Sequence, residues 1–365
     1  MAYTRPLVLG IETSCDDTAC AVLDGEGRVL SSVVSSQLVH RPYGGVVPEI
    51  ASREHLRNWP AVSAAALQQA GLEVSDLDAV AATRGPGLVG ALLVGLSLGK
   101  SLAFARRLPF FGVHHMEAHL YSPFLHVDGS PAEAPPARFV GLVVSGGHSL
   151  LLDVEGAGAE ERITAMAETR DDAIGEAFDK LGKRVGLPYP QGPKVDALAE
   201  AGDATRCPLP VAARGTELFF SYSGLKSQAL LVLERLRAAG IDTQPRVLAG
   251  GGFEVASEVL DLLAGFRAAA VAQLLDRVER LHARHPIPLL AVSGGVAANR
   301  ELRRAITHWC AAAGVELRLV PFKFSGDNAA MIAWRGLLLE RAGRITDPLL
   351  CEAQSRIPFY APARP

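Results

Sequence analysis

The chain has 365 residues, a length at which proteins usually form two lobes rather than a single hydrophobic core. Hydrophobic residues make up 49% of the chain and charged residues 21%, a balance that is typical of folded enzymes and excludes long disorder. The formal net charge of −3 excludes a general binder of polyanions, so contact with nucleic acid requires a local basic patch or a partner. The five cysteines include no Cys-x-x-Cys pair, which favours reduced thiols in the cytoplasm over a disulfide framework.

The first elements predict a β-meander whose first turn is polar. Residues 7–11, 19–23 and 29–34 are apolar runs typical of strands. The turn at 12–18 carries carboxylates and hydroxyls, which can hold a hydrated cation or contact phosphates; an ordinary polar hairpin is the alternative. The chain reaches its first strand without the apolar core of a signal peptide, which also favours the cytoplasm.

An apolar helix is predicted after a glycine-rich turn. A strand over 78–82 leads to Gly85-Pro86-Gly87, where small residues permit a sharp turn and close approach of an anion or of a neighbouring helix. The helix predicted over 88–105 is interrupted by glycines and a lysine. We therefore expect it to be buried in the protein and not to cross a membrane.

Two histidines, His115 and His119, follow an apolar run that ends at Val113. On a helix this spacing places both imidazoles on one face, with Cβ atoms roughly 5–6 Å apart, which suits two ligands of one metal ion. Asp327 stands at the start of a predicted helix over 329–341 and is a candidate for a third, carboxylate ligand. The alternatives are surface or capping histidines, and an aspartate that serves only as a helix N-cap.

The second half of the chain repeats a motif that is typical of nucleotide-binding folds. Strands predicted over 139–144 and 289–292 both end in Val-Ser-Gly-Gly, at Val144–Gly147 and at Val292–Gly295. Paired glycines at a strand end expose backbone N–H groups that can surround phosphates. A segment rich in Pro and Ala at 128–136 marks the boundary between lobes. The pattern predicts a duplicated nucleotide-binding fold.

A helical insertion is predicted between the two glycine motifs. The stretch from Asp171 to Lys180 carries acids three and four residues apart, which predicts one helical face of carboxylates. This face is either a solvated acidic surface or the source of a ribose-binding carboxylate. Residues 220–226 combine aromatic rings, hydroxyls and a lysine, which predicts a loop that faces a polar ligand.

Six blocks of the sequence are co-linear with one known family. They are Gly10–Asp16, Tyr43–Glu49, Gly85–Gly90, His114–His119, Ser223–Lys226 and Asp327–Ala333. Through these blocks the chain resembles the TsaD family, earlier labelled Gcp or O-sialoglycoprotein endopeptidase. The resemblance implies an α/β protein with the actin-like ATPase (ASKHA) fold, in which two duplicated lobes enclose a nucleotide and metal cleft.

The resemblance also implies how the chain is divided. Residues 1–130 would form the N-terminal lobe with the histidine helix. Residues 131–330 would form the C-terminal lobe, with a helical insertion at about 170–285. Residues 331–365 would return to the N-terminal lobe as a helix and tail.

An activity is implied together with the residues that carry it. Members of the family move the threonylcarbamoyl group from threonylcarbamoyl-AMP to N6 of the adenosine 3′ to the anticodon, in tRNAs that read ANN codons. The implied metal ligands are His115, His119 and Asp327, which would bind one divalent ion. Fe²⁺ is favoured, with Zn²⁺ or Mg²⁺ as alternatives. ATP or ADP is a further candidate ligand of the site that binds the donor. The implied donor contacts are Val143, Val144, Ser145, Gly146, Gly147, Asp179, Gly192, Asp196 and Asn299. Glu12 matches an acidic position that the resemblance ties to activity. Because an aromatic amine must lose a proton during attack, we predict Glu12 as the acceptor of that proton.

The implied partners are tRNA, the smaller paralogue TsaB as heterodimer partner and the ATPase TsaE, with no membrane. The helix over 88–105 is the candidate surface for TsaB, with burial in its own lobe as the alternative. The basic residues nearest the motifs are candidates for tRNA contact: Arg41, Arg53, Arg57, Lys180, Lys183, Arg184 and Lys226. Each is equally a candidate for a solvated surface cation.

Other classes of function compete with this interpretation. A sugar-kinase-like or chaperone-like ATPase needs only the glycine motifs and does not explain His115, His119 and Asp327 together. A zincin-type metalloprotease needs His-Glu-x-x-His, whereas Glu117 stands at a different offset and faces elsewhere on the helix. One departure from the family pattern is Gln191, which stands where the family usually has glycine and is expected to alter the local turn.

Overall fold

The N-terminal lobe is built on a five-stranded sheet. In the computed structural model, which describes residues 3–211, 218–358 and 360–362, its strands are Val8–Glu12 (β1), Asp17–Leu23 (β2), Val29–Ser36 (β3), Ala79–Gly85 (β4) and Phe110–His114 (β5), in the spatial order β3-β2-β1-β4-β5. The first three strands form the predicted antiparallel meander. Strands β1, β4 and β5 run parallel, with helices Pro48–Ala70 (α1) and Val89–Arg106 (α2) in the connections, and a short helix, His115–Tyr121 (α3), starts where β5 ends.

The second lobe repeats this arrangement. Its strands are Arg138–Val144 (β6), Ser149–Glu155 (β7), Arg162–Glu168 (β8), Arg246–Val247 (β9), Phe253–Glu254 (β10), Leu289–Ser293 (β11), Glu316–Leu319 (β12) and Ala361–Pro362 (β13). Strands β9 and β10 form a separate hairpin, and the others form a sheet in the order β12-β11-β6-β7-β8-β13. Strands β6, β7 and β8 form an antiparallel meander, and β11 and β12 run parallel to β6. The connectivity of the first sheet therefore recurs, and the predicted duplication is confirmed.

Helices fill the long connection between the two glycine motifs. The helices of the second half are Ile174–Val185 (α4), Gly192–Ala199 (α5), Ser223–Ala238 (α6), Ser257–Arg284 (α7), Arg300–Ala313 (α8) and Ala329–Arg341 (α9). Short 3₁₀ turns lie at Leu38–Tyr43, Val74–Asp76, Ser122–Phe124, Gly158–Glu160, Gly295–Ala298 and Phe322–Phe324. Helices α4 to α7 lie between β8 and β11, which is the position of the predicted helical insertion.

The C-terminal helix α9 packs on the N-terminal sheet. Successive side chains of a strand point to opposite faces, so Val8 and Phe111 belong to the core on the α9 side while Ile11 belongs to the core under α1 and α2. Gly10 lets the helix come close, because a Cβ at this position would lie 2.2 Å from the carbonyl oxygen of Ala329. Both faces of the N-terminal sheet are thus covered by helices.

The prediction that α2 is buried holds for one of its faces only. Ala91 and Leu96 are buried against the sheet, whereas Leu93 is half exposed and Phe104 is 74% exposed. Within the described residues, α2 is the one helix that is long and apolar enough to cross a membrane by length and composition. It packs against β4 and α1, and its outer face is an apolar surface.

Two local predictions in the insertion are wrong. Asp171 and Asp172 precede the first residue of α4, so the acids of this stretch do not form one helical face. Asp171 instead accepts the backbone N–H of Tyr222 at 2.9 Å, and Asp172 forms an ion pair with Lys226. The segment that was expected to be a loop facing a ligand is the start of α6, which begins at Ser223. Both carboxylates thus bind the start of α6. Aspartate is less favourable in a helix interior than in a turn, and the ion pair with Lys226 further stabilises this arrangement.

The C-terminal tail connects the two lobes. The backbone N–H of Gln354 donates to the carbonyl of Arg84 at 2.9 Å, at the end of β4. Further along, the hydroxyl of Tyr360 donates to Glu168 at 2.5 Å, and β13 pairs with β8. The tail therefore runs from the edge of one sheet to the edge of the other.

Candidate metal centre and nucleotide cleft

The histidine helix begins with a well-defined cap. Strand β5 ends at His114, whose Nδ1 accepts the backbone N–H groups of Met116 and Glu117 at 3.2 and 3.4 Å. This cap places His115 in the first helical turn and His119 one turn later, both buried on the same side of α3. The capping histidine is thus His114, and neither of the candidate ligands is used as the cap.

Asp327 stands in the turn that leads into α9. The N-cap of this helix is Asn328, whose side-chain oxygen accepts the backbone N–H of Met331 at 3.0 Å, so Asp327 is not the N-cap. Its Oδ1 lies 3.1 Å from Nε2 of His119 and 3.4 Å from Nε2 of His115. The structure thus brings the three predicted ligands together, from two elements that are far apart in the chain.

The chemistry of this group, and the distances from Asp327 to the two histidines, fit one divalent metal ion. One potential ligand atom from each of the three residues lies within 4.8 Å of the other two. Two atoms bound to one ion at about 2.1 Å, with a bond angle of roughly 90–110°, lie about 3.0–3.4 Å apart. The distances from Asp327 to both imidazoles match this separation. Two imidazoles and a carboxylate with open positions are ligands typical of zinc and non-haem iron sites.

Electric charge is concentrated around these residues. Burial disfavours charge on His115, but the nearby carboxylates of Asp327 and Glu12 hold the pKa of His115 well above its ordinary value. Burial likewise disfavours charge on the two carboxyls, yet their attraction to His115 holds the pKa values of both below the ordinary range. Burial lowers the pKa of His119. Two ionised carboxylates therefore surround the imidazoles, an arrangement that suits a bound cation.

Glu12 is fully buried behind His115. Its Oε2 lies 3.0 Å from Nδ1 of His115 and accepts the hydroxyl of Thr83 at 2.6 Å, while its Oε1 accepts the backbone N–H of Ser14. A carboxylate on Nδ1 favours the tautomer whose Nε2 lone pair points toward Asp327. Both oxygens of Glu12 thus have partners inside the protein.

A cavity of about 280 Å³ in the C-terminal lobe is lined by most of the predicted donor contacts. Those that line it are Gly146, Asp179, Gly192, Asp196 and Asn299. The remaining wall is apolar and includes the ring of Phe178 and the side chain of Val296. An apolar slot with a few polar groups at its rim suits the planar base and the ribose of a nucleoside.

Hydrogen bonds fix two carboxylates at the rim of this nucleoside cavity. Oδ1 of Asp179 accepts the backbone N–H groups of Gln191 and Gly192 at 3.1 and 2.7 Å. Gln191 contributes only its backbone N–H group, so this contact does not depend on which side chain stands at position 191. Nδ2 of Asn299 donates to Oδ1 of Asp196 at 2.7 Å. Each carboxylate is therefore held in one orientation before a ligand arrives.

A larger cleft of about 730 Å³ lies between the lobes. His115 and Asp327 line one side of it, and Gly146 and Gly147 line the other. A Cβ on either glycine would meet no described atom within 4 Å, so the backbone of this loop faces open space. Gly146 also lines the nucleoside cavity. The metal candidates and the nucleoside cavity are therefore parts of one continuous site.

Comparison with known protein families shows which family this chain belongs to. The family profile described as "TsaD: tRNA N6-adenosine threonylcarbamoyltransferase" matches residues 28–334. The chain belongs to this family. Among curated proteins named tRNA N6-adenosine threonylcarbamoyltransferase, that of Pelobacter propionicus is 48% identical over 90% of this chain and 91% of its own. That of Geobacter sulfurreducens is 46% identical over 92% and 93%, and that of Paramagnetospirillum magneticum is 44% identical over 98% of both chains.

Solved structures identify the fold of this TsaD-family chain. HypF of T. kodakarensis has a TM-score of 0.58 at 16% identity, over 94% of this chain and 49% of that chain. Component A of the (R)-2-hydroxyglutaryl-CoA dehydratase of Acidaminococcus fermentans has a TM-score of 0.50 at 16% identity, over 93% and 100%. At these identities the likeness concerns the fold alone. The predicted actin-like ATPase fold with two lobes is confirmed.

Four of the predicted donor contacts of this TsaD-family chain lie outside the nucleoside cavity, and one of them, Gly147, lines the larger cleft. Val143 and Val144 are fully buried in β6 and line neither cavity, so the structure does not place them in contact with the site. Ser145 lines the larger cleft at the end of the same strand. Its hydroxyl accepts the backbone N–H of His148 at 3.2 Å and closes the glycine turn.

Sequence reasoning missed several residues that line the larger cleft. The hydroxyl of Tyr189, from the C-terminal lobe, donates to Oδ2 of Asp16, from the N-terminal lobe, at 3.1 Å. His148 lines the same cleft, and burial lowers the pKa of its ring. Arg356 and its neighbours in the C-terminal tail form a further wall. The turn that contains Tyr189 carried a recognisable Pro-Gln-Gly-Pro signal, but no local pattern connects the tail to the cleft.

Proposed function

We propose that this chain transfers a threonylcarbamoyl group from threonylcarbamoyl-AMP to N6 of the adenosine 3′ to the anticodon, in tRNAs that read ANN codons. Family membership supports the transferase class. The observation that carries the proposal is the continuity of the nucleoside cavity with the metal-site candidates through Gly146. Such a donor has a nucleoside at one end and a reactive carbonyl at the other, and the continuous site offers a matching place for each.

The nucleoside end of the donor would occupy the apolar cavity. Asp179 and Asp196, each held by hydrogen bonds, would accept hydroxyl groups of the ribose. The open backbone at Gly146 and Gly147 would donate N–H groups to the phosphate and stabilise charge on the departing AMP. ATP or ADP would bind the same cavity through the same contacts.

His115, His119 and Asp327 would hold one divalent metal ion. Such an ion would supply Lewis-acid polarisation of the donor's carbonyl, which would lower the barrier to attack by an aromatic amine. We favour Fe²⁺, the ion that the family resemblance implies, with Zn²⁺ or Mg²⁺ as alternatives; two histidines and one carboxylate with open positions are typical of both non-haem iron and zinc sites. The donor is already activated, so the chain needs no nucleophilic side chain for the transfer.

Glu12 has two candidate roles in this scheme. As acceptor of the amine proton it would need to reach the cleft, yet both of its oxygens have partners inside the protein. Its contact with Nδ1 of His115 supports the second role, in which it orients the imidazole for the metal. We propose the orienting role, and the proton-acceptor role stays a prediction.

The geometry disfavours the two alternative activities. In a metalloprotease Glu117 would face the metal and act as base, but its carboxylate is paired with the buried Arg335 on the other side of α3. An ATPase or kinase would use the glycine loops alone, which leaves the His115, His119 and Asp327 group without a role. The transferase gives each of these features a function.

Basic residues where the two lobes approach each other support a path for tRNA between the lobes. Lys183 donates from Nζ to the carbonyl of Gly44 at 3.4 Å, and burial together with the nearby Arg41 lowers the pKa of Lys194. Arg41 and Gly44 belong to the N-terminal lobe, and Lys183 and Lys194 belong to the C-terminal lobe. The ring of Tyr43, beside Gly44, is exposed. Four of the basic residues named from the sequence have carboxylate partners instead: Arg53, Arg57, Lys180 and Lys226.

The apolar outer face of the N-terminal lobe supports a heterodimer with TsaB. Leu56 of α1 and Leu93 and Phe104 of α2 are exposed large hydrophobic residues, and a groove of about 300 Å³ runs between the two helices beside Leu56 and Leu93. Exposed apolar patches of this kind mark protein interfaces. We propose TsaB as the occupant, TsaE as a second partner, and the cytoplasm as the compartment.

The test is transfer of radiolabelled threonine from synthetic threonylcarbamoyl-AMP to unmodified tRNA, with and without TsaB. His119→Ala is the test variant, and His308→Ala, an exposed histidine on α8, is the matched control. Label that appears in tRNA with the parent and the control and disappears with His119→Ala supports the transferase and the metal site together. Absence of label under every condition, with ATP hydrolysis still present, would favour the ATPase instead.

A further inference from the structure

The two elements that supply the three candidate ligands are also joined on the side away from the cleft. Helix α3 carries Glu117 between the two histidines, and α9, which follows Asp327, carries Arg335. Nε of Arg335 donates to Oε1 of Glu117 at 2.9 Å, and Nη2 of the same guanidinium contacts the same oxygen. Arg335 is only 2% exposed, so this contact lies inside the protein.

The guanidinium of Arg335 has further partners that hold it in one position. Its Nη1 donates to Oε2 of Glu161 at 3.2 Å, and Glu161 lies in the connection between β7 and β8. The hydroxyl of Tyr121, at the end of α3, donates to the same oxygen at 2.7 Å. The guanidinium also lies over the ring of Tyr121, 4.5 Å from its centre. The result is a buried Glu–Arg–Glu group that connects α3, α9 and the β7–β8 connection.

Stability alone is a weak explanation for such a group. Removing charges from water costs several kcal/mol per ion, so a buried ion pair often contributes little more than well-packed apolar residues of the same volume. Its best-attested use is to fix one arrangement of neighbouring elements out of several. In this protein the neighbouring elements are those that carry the metal-site candidates.

Helix geometry connects the ion pair to the candidate ligands. His115 and His119 each lie two residues from Glu117, which places both imidazoles on the face of α3 opposite the carboxylate. A rotation of α3 by about 10° would move an imidazole nitrogen that lies roughly 6 Å from the helix axis by about 1 Å. Metal–ligand distances tolerate only about 0.2 Å. A contact that fixes the rotation of α3 relative to α9 therefore also fixes the positions of His115 and His119 relative to Asp327.

We infer that Arg335 and Glu117 are positioning residues: their buried ion pair sets the rotation and distance of α3 relative to α9 and so aligns His115 and His119 with Asp327. The inference rests on the proposed metal site. It assigns a role to two residues that touch neither the cleft nor the ligands. It also assigns a lesser role to Glu161, which binds the same guanidinium but lies on an element without a ligand.

The experiment compares two substitutions at the same guanidinium. Glu117→Gln removes the carboxylate on the metal helix, and Glu161→Gln is the matched control, which removes the other one. Protein freed of metal by a chelator is titrated with Co²⁺, and affinity is measured by calorimetry, coordination by the visible spectrum of the bound ion, and stability by the unfolding midpoint. Glu117→Asp, which keeps the charge and shortens the reach by one methylene, serves where Glu117→Gln fails to fold.

We expect Glu117→Gln or Glu117→Asp to bind Co²⁺ about 10- to 100-fold more weakly and with an altered spectrum, the loss that is usual when groups supporting metal ligands are removed. Glu161→Gln should bind within about threefold of the parent, with the parent's spectrum. Parent-like binding by the Glu117 variants, or equal losses at both positions, overturns the inference. A parent protein that binds no Co²⁺ overturns the proposed metal site itself, and these outcomes are distinguishable.

Discussion

His114 joins the C-terminal tail to the metal-bearing helix: its Nε2 donates to the carbonyl oxygen of Ile357 at 2.7 Å while its Nδ1 caps α3. Burial lowers the pKa of His114 to about 4, so the ring is neutral near pH 7. A neutral imidazole has one donor and one acceptor, and both are used here. The position of the tail and the start of α3 are therefore coupled through a single side chain.

The first prediction concerns this coupling. We expect His114→Ala to lose about 1 kcal/mol of unfolding free energy, the usual cost of a lost helix cap, and to increase amide hydrogen exchange in peptides covering 351–358. His114→Asn keeps an acceptor suited to the cap, but its N–H groups end about 1 Å short of the position of Nε2 and should not reach the carbonyl of Ile357. It should restore the stability and leave the tail exchanging rapidly. Restoration of both properties by His114→Asn would show that the bond to Ile357 does not hold the tail.

The second prediction concerns the third ligand. Asp327→Asn removes a carboxylate charge that lies within 3.4 Å of Nε2 of both imidazoles, so affinity for a divalent ion should fall at least 10-fold by calorimetry. Asp128→Asn, in an exposed turn that lines neither cavity, is the matched control and should bind as the parent does. If Asp327→Asn binds the ion with the affinity of the parent, the carboxylate is not a ligand.

The third prediction separates the two roles of Glu12. Glu12→Gln should slow transfer and leave the affinity for threonylcarbamoyl-AMP unchanged, because Glu12 does not line the nucleoside cavity. If Glu12 orients His115, as we propose, the affinity for a divalent ion falls as well, by about 10-fold or more. Slower transfer with full metal affinity would instead favour the proton-acceptor role. Equal losses of transfer and of donor binding would contradict both.

The fourth prediction concerns the second glycine motif. Gly294 has φ +90°, and a Cβ there would lie 2.2 Å from the carbonyl oxygen of Val144. Gly294→Ala should therefore cost about 1–3 kcal/mol of unfolding free energy, measured by urea denaturation. Gly295→Ala is the matched control, since a Cβ at Gly295 meets no described atom within 4 Å; its effect should stay within about 0.5 kcal/mol. Similar losses in both variants would mean that backbone conformation is not the cause.

Local patterns predicted the parts of the site that depend on local geometry. The four-residue spacing of His115 and His119 sets their common face because the helical period does so without help from the rest of the chain. The repeated Val-Ser-Gly-Gly motif ends β6 and β11, two neighbouring parallel strands of the C-terminal sheet, so both glycine turns lie at one edge of that sheet. The duplication itself appears in the connectivity of the two sheets and not in this motif. The acids at Asp171 and Asp172 failed as a helical prediction because partners elsewhere, including Lys226, decide their conformation.

Contacts between distant segments had no signal in the sequence. Arg335 stands in an apolar helix pattern, and nothing local shows that its guanidinium reaches Glu117, which is 218 residues earlier in the chain. The passage of the tail along the cleft is equally invisible, because residues 351–358 have no periodicity and meet both lobes. Such contacts depend on the assembled fold and not on the propensity of the segments that make them.

The covering of the N-terminal sheet by α9 has a consequence for the order in which the molecule can be built. The ribosome completes β5 at His114, but α9 begins only at Ala329. At about 5–20 residues per second, roughly 10–40 s pass between these two points. During this time α9 does not cover the face of the N-terminal sheet that carries Val8 and Phe111. This apolar face of the N-terminal sheet is therefore exposed during synthesis until α9 is made, unless another part of the chain or a chaperone covers it.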